Sequence, residues 1–196
     1  MSVRAPFALL PVLFFSLVLS VTPTHATRVL PLNLEELTKH AGRVFSGRIT
    51  EVRVERDPGL DRDVTRVTAE VEHSAKGGNG RSVTFRVLGR QNGKEPLQSG
   101  IGGMPRFREG EEVVLFLYGE SKAGLTSPVG FGQGKFSLVR DKQGRRVALN
   151  ESGNQTLFRG LSEDATKRLG PDSRRWERER GIPVESLLGM VESLRR

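Results

Sequence analysis

The chain has 196 residues, no cysteine, three histidines and a formal charge of +8. Lacking cysteine, it can form no disulfide, thiolate nucleophile, cysteine-ligated zinc site or cysteine-linked lipid anchor. The basic balance points to polyanions such as nucleic acid, lipopolysaccharide, acidic polysaccharide or anionic lipid, but acids are interleaved along the chain, and the charges read better as solvated faces of a sheet.

The N-terminus carries an export pattern. Arg4 is followed by Phe7–Val21, fifteen residues without a charge. That suits a signal-peptide core and is short for a spanning helix, which needs about 20 apolar residues. Pro11 weakens a stable membrane helix further. Thr24-His25-Ala26 places small residues at −3 and −1 of a cut before Thr27. The expected divisions are 1–26 signal peptide, 27–150 β-barrel domain, 151–181 polar linker and 182–196 C-terminal helix. About 170 residues remain after cleavage, enough for one domain burying about 70% of its extended-chain surface. A cysteine-free exported chain fits the periplasm or exterior of a bacterium, with no transmembrane span once the signal is removed.

Asn33 can cap a short helix, with Glu36 at the third helical position to complete a capping box and Gly42 to end it. Val44–Val54 is β-rich, but its alternation changes phase, so a bulge is expected near Thr50 or Glu51. After a turn at Asp57-Pro58-Gly59, residues 64–71 set Val67, Ala69 and Val71 on one side and Arg66, Thr68 and Glu70 on the other, a strand buried on one face. Lys76–Gly80 turns the chain into a third strand with Val83, Phe85 and Val87 inward. Residues 89–110 hold six glycines and two prolines and read as a long loop, a type often functional in compact domains. Val113–Tyr118 is apolar on both faces and should be the most buried strand, with Val114, Phe116 and Tyr118 on one side. Leu125–Val129 reads as a short strand, Gly130–Gly134 as flexible, and Lys135–Arg140 as a strand with Phe136 and Leu138 inward. Asp141–Gly144 is a hairpin turn, and Val147 and Leu149 belong to a last strand. Residues 151–181 are polar and loosely patterned. Ile182-Pro183 opens a helix whose Val184, Leu187, Leu188, Val191 and Leu194 form an apolar face that should pack on the barrel. The expected fold is mainly β: a small OB-like, partly open barrel of six or seven strands with a short N-terminal helix and a C-terminal amphipathic helix; a sandwich is the alternative.

Four stretches in order support a resemblance: Leu34–Leu37 with Ala41–Ile49, Val71–Gly77, Gly100–Leu117, and Gly130–Phe136. Together they resemble a loosely defined family of uncharacterised exported bacterial β-rich proteins. The resemblance spans about three-fifths of the chain. It implies an exported β-rich domain and supplies no activity to carry over.

Motifs for chemistry are sparse. His25, His40 and His73 are scattered and make no metal site. There is no G-x-S-x-G elbow, no H-E-x-x-H and no S-x-x-K pair. Gly130–Lys135 lacks the spacing and the following Ser or Thr of a phosphate loop. Asn150-Glu151-Ser152 and Asn154-Gln155-Thr156 have the form of glycosylation sequons, which carry little meaning in a bacterial protein. Three acids, Glu109, Glu111 and Glu112, cluster before the buried strand. No catalytic residue, cofactor or metal is expected. The expected function is a non-enzymatic binding or interaction module of the cell envelope, its partner an envelope protein or polyanion. Metalloprotease-inhibitor barrels offer an analogy of fold only, because their N-terminal cysteine is missing here. One alternative is a hydrolase using the Glu109–Glu112 carboxylates; the other is an OB-like binder of polyanions or nucleic acid, which export and the low aromatic count disfavour. The two glycine-rich loops flank the central strands and should lie together. The candidate binding residues are Gly102, Gly103, Arg106, Phe107, Phe131, Gln133 and Lys135. Arg174, Arg175, Trp176 and Arg178 form a basic patch that could grip a polyanion by charge and stacking, while the acids among them favour local pairing.

Overall fold

A computed structural model of the chain describes residues 30–91, 103–171, 175–176, 179 and 181–195. The expected signal peptide, Gly102, Arg174 and Arg178 lie outside the described residues.

The protein is mainly β. Among the described residues, seven strands form one antiparallel sheet: β1 (Arg43–Asp57), β2 (Arg62–Lys76), β3 (Ser82–Leu88), β4 (Glu112–Leu117), β5 (Lys135–Arg140), β6 (Arg146–Asn150) and β7 (Ile182–Pro183). Their order is β3-β2-β1-β4-β5-β6-β7. The strands form a single sheet that does not close, so the fold is mainly β and open and is not a two-sheet sandwich. Three helices accompany it among the described residues: α1 (Leu34–His40), α2 (Glu163–Leu169) and α3 (Val184–Leu194).

The expected capping box starts α1. Asn33 Oδ1 accepts from Glu36 N at 2.9 Å, and Glu36 Oε2 accepts from Asn33 N at 2.9 Å. The helix ends differently from expectation, because Ala41 in extended conformation is its C-cap. Gly42 is instead a close-approach residue: a Cβ there would lie 2.8 Å from Gly119 N.

β1 and β2 form a long hairpin with register shifts at Val44/Phe45, Ser46/Gly47 and Ile49/Glu51. The last is the expected bulge. It changes the phase of the strand, so that Val52 packs on the same cluster as Phe45 and Ile49. At Gly47 no side chain fits, since a Cβ would run into the carbonyl of Glu70.

β4 is buried on both faces, as its composition demands. Val113, Leu115 and Leu117 join Phe45, Ile49, Val67, Ala69, Val83, Phe85 and Val87 in one core. Side chains of β3 can meet those of β4 across two intervening strands only if the sheet curls. Val114 and Phe116 face a second core with Phe136, Ala148, Leu34, Leu37, Leu187, Leu188 and Val191. The C-terminal helix thus packs on the sheet through the apolar face read from its spacing.

Four expectations are corrected. Tyr118 lies just past the strand and is 41% exposed. Leu125–Val129 is not a strand: only an isolated Leu117–Pro128 bridge forms, because proline has no N–H to extend the ladder. The segment instead crosses to the edge of β3, where Thr126 N donates to Arg86 O at 2.9 Å. Pro183 pairs with Val147 in β7 and caps α3 from outside its first turn. Residues 151–181, expected as a polar linker, contain α2 and send Leu157, Phe158, Leu169 and Trp176 into the helix-side core.

Candidate functional site

The described end of the first glycine-rich loop, from Gly103, lies against the second. Gly132 N donates to Gly103 O at 3.3 Å, which joins the run into β4 to the loop before β5. The second loop is a 3₁₀ turn over Phe131–Gln133, and each glycine around it has a separate reason. Gly130 is left-handed at φ +60°, a conformation glycine adopts without steric cost. Gly132 packs against the Glu151 carboxylate, and at Gly134 a Cβ would lie 2.7 Å from Val129 N. Phe131 is left-handed too, at φ +57°. A bulky residue there is an outlier that the surroundings must impose. Phe131 N donates to Pro128 O at 3.0 Å, and Gly134 N donates to Phe131 O at 3.1 Å.

Two hollows meet at this junction, sharing Gly103 and Glu151 as walls. The first, of about 350 Å³, is mostly apolar and is bordered by Pro31, Phe131 and Thr156. The second, of about 370 Å³, is polar and is bordered by Arg106, Arg108, Glu111, Lys135 and Ser137. Both fall in the size range of small-ligand sites, about 300–1,000 Å³.

The polar hollow has an ordered floor. Lys135 and Ser137 alternate along β5 with Phe136 and Leu138, so they face away from the helices. Lys135 Nζ pairs with Glu111 Oε1, which also accepts from Ser137 Oγ at 2.8 Å. Lys135 is 8% exposed, and its ammonium lies 5.8 Å from the centre of the Phe107 ring. Arg106 and Arg108 border the same hollow and form no ion pair among the described residues.

The other expected site residues take structural roles. Phe107 is 2% exposed and belongs to the curled-sheet core, edge-on to Phe85 at 5.4 Å; it has no surface to offer a ligand. Gln133 ties the chain ahead of α1: its Oε1 accepts from Leu32 N at 2.7 Å and its Nε2 donates to Leu30 O at 3.0 Å. In the basic patch, Trp176 is 6% exposed and packs in the helix-side core, so it is no stacking platform. Arg175 lies 4.8 Å over its ring and pairs with Glu179 at 3.2 Å, the local pairing foreseen from the sequence.

The three acids diverge. Glu109 Oε1 accepts from Val52 N at 3.1 Å. Glu111 turns to Lys135 and Ser137, and Glu112 pairs with Arg48 and, at 3.4 Å, with Arg146. They do not flank one cleft as two carboxylates of a glycosidase must. His73 meets Glu192 at 2.9 Å, and no group of metal-ligating side chains occurs among the described residues. The sequons are structural. Asn150 and Asn154 are buried, exchange backbone-to-side-chain bonds at 3.0 and 2.9 Å, and donate to Gln133 O and Ala148 O.

The sequence reading missed Ser137, Glu151 and Pro31 as site residues, and named Glu111 only as a candidate hydrolytic carboxylate. For Ser137 a signal existed, its alternation with the inward Phe136 and Leu138; the pairing of Val113 with Ser137 and of Leu115 with Lys135, which sets Glu111 on the same face, comes from the tertiary structure.

No family model matches the chain, and no curated protein matches its sequence.

Proposed function

We propose that this protein is an exported, non-enzymatic binding module of the bacterial cell envelope, with its ligand held between the Gly103–Arg108 and Gly130–Gly134 segments. One observation carries the reading: Phe131 is kept in a strained left-handed conformation at the rim of two adjoining hollows. Strain of this kind costs about 1–2 kcal/mol and persists where the surroundings impose it, often at a ligand clamp. Support for export comes from Arg4, the charge-free Phe7–Val21 run and Thr24-His25-Ala26. No helix among the described residues is long and apolar enough to cross a membrane. The divergence of Glu109, Glu111 and Glu112 favours binding over hydrolysis.

The test uses the exported chain, exposed to envelope extract and washed. Small molecules retained by it are identified by mass spectrometry beside those retained by an Arg106→Glu/Arg108→Glu variant. A compound held by the native chain, lost in the variant and released with unchanged mass is the expected result. Equal retention by both, or release of a cleaved product, overturns the proposal.

A further inference from the structure

We infer that the ligand is a small amphipathic anion, its acidic head against Arg106 and Arg108 and its apolar part along Phe131 and Pro31. This rests on the binding reading above and adds the chemistry of the ligand. The two hollows differ in character and share a wall, so one molecule spanning them must be apolar at one end and polar at the other.

The sign of the polar end follows from the charge balance. Three cations and two acids border that hollow. Lys135 and Glu111 neutralise each other; Glu111 Oε1 is engaged by Lys135 and Ser137, and Glu111 Oε2 is buried from solvent. Arg106, Arg108 and Glu151 remain, two guanidiniums against one carboxylate. Arg106 is half-buried and Arg108 exposed, so a head group can reach both from solvent. Planar guanidiniums suit carboxylate, sulfate and phosphate oxygens through paired N–H donors. Phe131 supplies the complementary surface. Its φ of +57° is one glycine would adopt freely, yet an aromatic ring stands there beside a mostly apolar hollow.

Decanoate, kept below its micelle concentration, is the probe, with 1-decanol and acetate as controls; titration calorimetry is the readout. Decanoate should bind saturably, and decanol and acetate each at least about tenfold more weakly, since each lacks one half of the recognition. Arg106→Gln/Arg108→Gln should weaken decanoate by about tenfold or more and leave decanol unchanged. Phe131→Gly should weaken both, while its unfolding midpoint stays equal or rises because glycine removes the strain. Equal affinity for decanoate and decanol, or native-like decanoate binding by either variant, overturns the inference. If extract compounds are still retained in a site-dependent way, the binding reading stands and only the ligand class is wrong. If nothing is retained, both fall.

Discussion

On the helix-covered face of the sheet, Val114 and Phe116 meet side chains from α1, residues 157–158, α2, Trp176 and α3. On the curled face, Val113, Leu115 and Leu117 meet residues of β1, β2 and β3 and, from outside the strands among the described residues, only Phe107. One core is thus assembled from segments more than a hundred residues apart, the other by a sheet folding over itself. The helix-side core depends on long-range docking of amphipathic pieces. The curled core depends on the bulges in β1 and β2 and on Gly47, which bend the hairpin until β3 reaches β4. The candidate site lies where the loops entering β4 and β5 from the two sides meet.

The sharpest way to break this contrast is Leu188→Asp. It buries an unpaired charge under α3 and should cost about 5 kcal/mol, read as a large fall in unfolding midpoint. An unchanged midpoint would mean that α3 is no part of the core. Phe116→Ala should cost about 4 kcal/mol in a denaturant titration, because Phe116 is fully buried beside Phe136 at 5.5 Å. Phe107→Ala, in the curled core, should cost about 3 kcal/mol, since a loop can collapse further into the cavity than a central strand can. A larger loss for Phe107 than for Phe116 would reverse the ranking of the two cores.

Asn33→Ala removes the α1 cap and should cost about 1–2 kcal/mol. The upper end is expected because Asn33 Nδ2 also donates to Arg159 O at 3.2 Å and Gly160 O at 3.1 Å. Smallest is the acid sensitivity of the β1–β2 tip. The Asp57 carboxyl is held below its usual range by the backbone N–H of Leu60 and, in spite of partial desolvation, by Arg86 and the N–H of Gly59. A depressed folded pKa stabilises the fold above the unfolded value of about 4, and that stability is lost as pH falls through the folded value. Asp57→Asn should therefore flatten the pH dependence of unfolding below about pH 4 and leave the Leu188→Asp effect unchanged.

The curled core was legible in the sequence because alternation is a local property. Val67, Ala69, Val83, Phe85 and Val87 declare their face within a few residues, and the phase change at Thr50 declared the bulge. The cover of the other face was half legible. The apolar positions of α3 stood out at helical spacing, whereas α2 shows only Ala165 and Leu169 inward. Its signals were its caps: Ser162 Oγ accepts from Ala165 N at 3.0 Å, and Gly170 follows the last turn. Phe107 and Trp176 were misread because an aromatic beside arginines in a polar stretch looks alike whether it points out or in.

By itself the sequence determined the class of fold, the capped first helix, the two-faced burial of β4 and the proximity of two glycine-rich segments. Each follows from short-range periodicity or from residues with one conformational use. Only the tertiary structure decided which side chains remain free at the junction. It sent Phe107 and Trp176 inward, gave Lys135 to Glu111 and Gln133 to the backbone of Leu30 and Leu32, and left Arg106, Arg108 and Phe131 facing the hollows. That sorting rests on pairings between residues distant in the chain, and the energy of a buried ion pair or a packed ring depends on the partner it finds.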